Sequence, residues 1–176
     1  MIISVKELME MTEFDDLSES VLKRKLNAIE DLVRAYTNNN FQNRMIRFDA
    51  PSSDAVLHGK YNLLQVGDTI QITESINKGL YVITDVDRIN KTITLDKGLL
   101  DSAHNLVTKV EYPDAVVDGV INLMIWEVQN RSKVGIQSET ISRHSVTYFS
   151  QDANNQLMGY PTTLLGFLKP YIKARF

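Results

Sequence analysis

Hydrophobic positions change their spacing twice along the chain, and the changes mark its elements. Between Ser18 and about Asn38, Leu22, Leu26, Ile29, Val33 and Tyr36 recur at steps of four and three, with Val21, Ala28, Leu32 and Ala35 widening the same face. That period predicts a long amphipathic helix, with Ser18 as N-cap and the asparagines of "TNNN" at the exit, where left-handed backbone is tolerated. Before it, Ser4 stands three residues ahead of Glu7, the spacing of a capping box, so a short helix is expected from about Val5 to Met11. From Phe41 to Tyr112 the pattern alternates instead. "TIQIT" places Ile70 and Ile72 on one face, "KTITLD" places Ile93 and Leu95 on one face, and "LYVITDV" is rich in β-branched and aromatic residues. Turn signals at Gly59, Gly67, Gly79 and Asn90 separate these runs, so antiparallel hairpins are expected, with "RMIRF" and "LVTKV" bringing the strands to about five.

Helical spacing returns at "YPDAVVDGVINLMIWEVQNR". Pro113 suits a first helical turn and Asp114 complements the helix dipole, while Val116, Val117, Val120, Ile121, Met124, Ile125 and Val128 occupy most of the circumference. A helix of this kind, ~27 Å long, is expected to be central and buried, inside the monomer or between subunits. "TISRHSVTYFS" alternates only in part, and "GYPTTLLGFLKPYIKARF" predicts a short helix begun by Pro161 and ended by Pro170. The expected fold class is therefore α+β: a helical bundle of two N-terminal helices, a buried central helix and a short C-terminal helix, with an inserted small antiparallel β-barrel or sandwich. Its expected domains are 1–40 with 112–176 as the helical core and 41–111 as the inserted β subdomain.

Composition limits what this architecture does. At 176 residues, 43% hydrophobic and 23% charged, the chain suits one substantial core, or one domain with a small insertion. A net charge of −3 gives no protein-wide basic field, which disfavours sequence-reading nucleic-acid binding. Charge is nevertheless uneven: residues 1–31 hold eight acids against four bases, and the closing "KPYIKARF" holds three bases and no acid. Two solvated surfaces, or the tail of one copy meeting an acidic face of its neighbour, both account for that. With no cysteine, disulfides and thiolate chemistry are absent. The N-terminus lacks the basic start of a secretory signal, and the most apolar run is broken by Asp118, Asn122 and Glu127, so neither secretion nor a membrane span is expected.

Catalytic chemistry finds little footing. "SETISRHSVTY" holds Ser138, Ser142, Ser145, Arg143 and His144, and on one extended segment Ser142 and His144 would share a face. There is no nucleophile elbow, however, and no glycine beside any of the three serines. His58, His104 and His144 lie far apart without a ligand-spaced partner, "DVDRIN" supplies only the beginning of a calcium loop, and no phosphate-binding glycine loop is present. No enzyme activity, metal or cofactor is expected.

The order of parts, together with "SETISRHSVTYF" and "YPTTLLGFLKPYIK", resembles the head-tail connector proteins of long-tailed bacteriophages, also called adaptor or head-completion proteins. The two segments look like that family's "SESIGxxSVTY" and terminal "YPxxLLxxLKPY", and "ISVKELMEMTEFDDLSES" looks like its acidic helical start. The resemblance covers both helical ends and leaves the β region unmatched. It implies a virion protein made in the host bacterial cytoplasm and placed at the head-tail junction. There it would form a homo-oligomeric ring, usually a dodecamer, under the portal protein. Such a ring extends the channel through which DNA passes without sequence-specific binding, and offers a platform to stopper or tail-joining proteins. A different ring of the neck, a stopper or tail terminator, is the alternative, which a largely β-stranded protein would favour and the long helices argue against; an enzyme of unknown chemistry, which would need one concentrated polar pocket with a strongly perturbed titrating group, ranks behind both.

The resemblance also implies candidate residues. Tyr160, Pro161, Leu164, Leu165, Phe167, Leu168, Tyr171 and Phe176 become portal contacts, or else pack a closing helix onto its own core. Arg143, His144 and Tyr148 become subunit contacts, and Asn77, Lys78 and Asp101 are placed on the exterior of the β region or toward a tail partner. On this view, deleting residues 160–176 leaves a folded monomer that no longer docks.

Overall fold

The structure is a computed structural model that describes residues 1–59, 61–130, 138–141, 144–147 and 156–174. The chain divides into two compact units: Met1 with Asn40–Tyr112, and Ile2–Asn39 with Pro113–Phe176.

In the first unit the alternating segments become β1 (Gln42–Asp49), β2 (Ser52–Ser53), β3 (Val56–His58), β4 (Thr69–Thr73), β5 (Gly79–Asp87), β6 (Thr92–Leu95) and β7 (Leu106–Val110). They pair antiparallel in the order β1-β7-β4-β5-β6-β3-β2. Alternation decides which side chains go inside: Ile70, Ile72, Ile83, Ile93, Leu95 and Val107 meet Ala50, Leu57, Leu64 and Leu99 in one apolar cluster. "DVDRIN" closes the β5–β6 hairpin. The Asp87 carboxylate accepts from the backbone N–H groups of Ile89 and Asn90, both at 2.8 Å, and from the Asn90 side chain at 2.7 Å. Those bonds, the two from Asn90 foremost, hold the Asp87 carboxyl below its ordinary value.

In the second unit, α1 is Val5–Met9, followed by a 3₁₀ turn at Thr12–Phe14, α2 (Glu19–Thr37) and α3 (Asp114–Asn130). The capping box forms: Ser4 Oγ accepts from Glu7 N at 3.2 Å, and Glu7 Oε2 accepts from Ser4 N at 3.0 Å. Ser18 occupies the N-cap of α2 without capping it, its hydroxyl lying 3.1 Å from that of Ser20. Leu22, Leu26, Ile29 and Val33 are buried along α2, which ends at Asn38 in left-handed conformation, φ 48°. Beyond α3 come two short antiparallel pairs, β8 (Ser138–Ile141) with β9 (His144–Thr147) and β10 (Gln156–Leu157) with β11 (Tyr160–Pro161), then a 3₁₀ segment, Thr162–Tyr171. α3 packs against α2, the Thr12–Phe14 turn and the Thr162–Tyr171 segment.

The expected fold class is overturned. The dominant feature is a seven-stranded antiparallel sheet rather than a helical bundle, and its end strands β1 and β2 do not pair, so it is not closed into a barrel. Two physical reasons account for the difference. β2 and β3 are two and three residues long, too short to show an alternating pattern, so the sheet was undercounted. The helical segments are present but weigh less than expected: α1 is only five residues, and the closing segment winds as 3₁₀ with Pro170, which has no N–H for an α ladder, inside it. α3 is also less enclosed than its apolar circumference suggests. Val116, Gly119, Val120, Leu123 and Met124 are buried, whereas Val117, Ile121, Ile125 and Val128 are half-buried.

Candidate docking surfaces

The C-terminal segment is built into the second unit before it can present anything. Tyr160 and Pro161, paired with β10, are buried, as are Leu165 and Leu168. The Tyr160 hydroxyl donates to Glu127 Oε2 at 3.1 Å, and Lys25 Nζ lies 3.0 Å from Glu127 Oε1, so one carboxylate on α3 ties α2 to β11. The Tyr160 ring also packs on Trp126, centroids 5.4 Å apart. Phe167 lies over Gly119, so close that a Cβ there would sit 2.5 Å from the ring. Downstream, the asparagines of "TNNN" hold the chain's last described turn. Asn39 Nδ2 donates to the Tyr171 carbonyl at 3.2 Å, Asn38 Nδ2 to the Ala174 carbonyl at 3.0 Å, and Lys173 N to the Thr37 carbonyl at 2.8 Å. Sequence reading gave those asparagines only a helix exit.

The named portal candidates therefore separate. Tyr160, Pro161, Leu165 and Leu168 serve the unit's own core, Leu164, Phe167 and Tyr171 are half-buried, and Phe176 lies outside the described residues. Deleting 160–176 would empty that core, so the expectation that the truncated chain stays folded is withdrawn. Exposed positions on the same scaffold are Thr162, Thr163, Lys169, Pro170, Ile172 and Lys173. Among the subunit candidates, His144 opens β9 opposite Ile141 of β8, while Arg143 and Tyr148 lie outside the described residues. β8 and β9 pair antiparallel from Ser138↔Thr147 to Ile141↔His144, so the described residues of "SETISRHSVTY" form two paired strands rather than a single one, and Ser142 lies outside the described residues.

A second surface lies on the first unit, at the edge of the sheet. β1 pairs with β7 from Gln42↔Val110 to Asn43↔Lys109, then resumes at Arg47↔Thr108, leaving Arg44, Met45 and Ile46 without partners in β7. Asn43 starts this bulge: its Oδ1 accepts from Met45 N at 3.0 Å, and its Nδ2 donates to Glu111 Oε2 at 2.7 Å. The bulge and the stretch Tyr61–Leu64 line an open groove of about 240 Å³, in which Phe48 stacks on Tyr61 with centroids 3.6 Å apart. Met45 is 91% exposed and Leu63 65%. Tyr61 donates to the Asp49 carbonyl at 3.1 Å, and burial first, then the Asp49 charge, raises its pKa. Sequence reading takes "RMIRF" as an ordinary strand, although its adjacent apolar pair Met45 and Ile46 interrupts strict alternation where the register shifts.

Asn77 is the centre of a polar cluster that looks functional and is structural. Its Nδ2 donates to Leu100 O (2.8 Å), Asn105 Oδ1 (3.0 Å) and Ser52 Oγ (3.2 Å), while its Oδ1 accepts from Leu100 N (2.8 Å). Asn105 continues the network through Nδ2 to Ala50 O at 2.9 Å and Oδ1 from Ser75 Oγ at 2.6 Å. Buried amides so fully partnered pin loops together and leave nothing for a substrate. Asn77 thus points inward, contrary to the exterior placement read from sequence, whereas Lys78 and Asp101 are exposed. Among the described residues no three His, Asp or Glu side chains are grouped to hold a metal, and no described helix is long and apolar enough to cross a membrane.

Compared with known proteins, the chain matches no protein-family model. No curated protein matches it either.

Proposed function

We propose that this protein is a non-catalytic connector of a long-tailed bacteriophage, forming a ring beneath the portal that extends the DNA channel and joins capsid to tail components. The observation that carries the reading is the pair of segments "SETISRHSVTYF" and "YPTTLLGFLKPYIK" in that order near the C-terminus, behind an acidic helical start. The geometry supports it in one respect. Leu165 and Leu168 anchor the closing segment while Lys169, Pro170, Ile172 and Lys173 stay exposed, which gives a partner a rigid, preorganised face. A mildly acidic chain also suits a channel through which DNA slides, since dense cationic walls would hold phosphates. A ring is a closed heterologous assembly, so each copy must offer two different, complementary faces.

The test is the double variant Lys169→Glu/Ile172→Asp. Both side chains are exposed, so the variant keeps the wild-type melting profile while joining the portal of the same phage at least about tenfold more weakly. Wild-type joining by a folded variant would remove this face from the contact. The second reading, a stopper or tail-terminator ring of the neck, is favoured by the seven-stranded sheet. A chain that ignores the portal and binds tail components would select it.

A further inference from the structure

The β1 bulge combines three properties that a solvated edge strand does not need together. It presents Met45 almost fully to solvent beside exposed Leu63 over an open groove. It flanks that apolar centre with two exposed arginines, Arg44 and Arg47, whose side chains make no hydrogen bond or ion pair within the described residues. It lies on the sheet's end strand, whose outer edge has no strand partner among the described residues. Charged residues alone guard an edge against unwanted pairing. A guard, however, needs neither an exposed methionine nor a groove beside it, and the three together are the anatomy of a contact site, an apolar centre with a charged rim.

The opposite pattern occurs in the same chain. At the end of α1, Met9 is 48% exposed, and the exposed acids Glu10, Glu13, Asp15 and Asp16 follow it in the sequence. Glu7, by contrast, is engaged with Ser4 and contributes to the cap. Glu10 has no side-chain partner within the described residues, and Glu13 has only a contact at 3.5 Å with Thr12. One surface offers methionine between arginines, the other methionine beside glutamates.

We propose that the β1 bulge of one copy receives the acidic α1 segment of the next copy. Met9 enters the groove beside Met45 and Leu63, and Glu10 and Glu13 pair with Arg44 and Arg47. The inference rests on the ring reading, which demands a head-to-tail contact between unlike faces, and it names those faces.

Charge exchange tests it on the full chain, with assembly followed by mass measurement alone and on the portal. Arg44→Glu/Arg47→Glu and Glu10→Arg/Glu13→Arg, each confirmed folded by its melting profile, are each expected to weaken copy-to-copy association about tenfold or more. The four-fold combination restores it, because reversed charges again face their opposites. Failure of the combination to restore, or wild-type rings from Arg44→Glu/Arg47→Glu, would overturn the pairing while leaving the connector reading intact. In the second case, loss of a tail component from that variant's ring would assign the groove to another protein. A wild-type chain that forms no ring, alone or on the portal, would overturn both.

Discussion

Gly119 decides how closely the C-terminal segment approaches α3. A glycine inside a helix costs about 1 kcal/mol relative to alanine, and here the cost has a visible reason, since the Phe167 ring occupies the space a Cβ would need. Gly119→Ala sets that gain against overpacking worth about 1–3 kcal/mol, and the expected net effect is a loss of about 1 kcal/mol. In a Phe167→Leu background the sign reverses. Denaturant midpoints of the four proteins of this cycle check both statements, and stabilisation by Gly119→Ala alone would contradict the close contact. At this scale the sequence is readable where partners are local. Ser4 and Glu7, three residues apart, disclose their cap, and Asp87 and Asn90 disclose their turn. Asn77 does not disclose its burial, because Ser52 of β2 and the loop residues Leu100 and Asn105 come from distant segments that only the folded sheet brings together.

Between elements of the first unit, the bonds that matter join segments far apart in sequence. Lys109 of β7 lies 3.0 Å from Asp68 and 3.1 Å from Glu111, which also accepts from Asn43 of β1. Burial acts to raise the Glu111 pKa, but the bonds from Asn43 and Lys109 and the Lys109 charge outweigh it, leaving the value below the ordinary 4.5. For Lys109 burial acts to lower the pKa, and Asp68 and Glu111 outweigh it, leaving the value above 10.5. A carboxyl depressed on folding contributes stability that is present above 4.5 and lost as pH falls through its folded value. A raised lysine contributes stability that is present below 10.5 and lost as pH rises through its folded value. Glu111→Gln should therefore flatten the acid limb: its urea midpoint relative to wild type is lower at neutral pH, and the two converge as pH falls through the folded value of Glu111. A constant difference across that range would contradict the linkage. Helices and hairpins that keep one period were legible here, as with Leu22 to Val33 and with Ile70 and Ile72. β2 and β3, too short to show a period, were not, nor was the clamp of Asn38 and Asn39 on the tail, whose partners lie more than a hundred residues onward.

For the whole molecule, the sequence named candidate contacts by their apolar identity, and the structure divides them between core and surface. It singled out the C-terminal segment, but its apolar positions Leu165 and Leu168 face inward and its exposed Lys169, Ile172 and Lys173 face outward. Apolar identity alone cannot tell a core contact from a partner contact. It registered the acidic start, but the arginine-flanked bulge proposed to receive it depends on a register shift that hydrophobic spacing alone does not specify. The proposed head-to-tail assembly on a portal is open to native mass spectrometry of the wild-type protein, alone and mixed with the portal. The expected result is a portal complex heavier by many equal copies of the 20.0 kDa chain. A portal whose mass is unchanged by excess of the folded protein would contradict it.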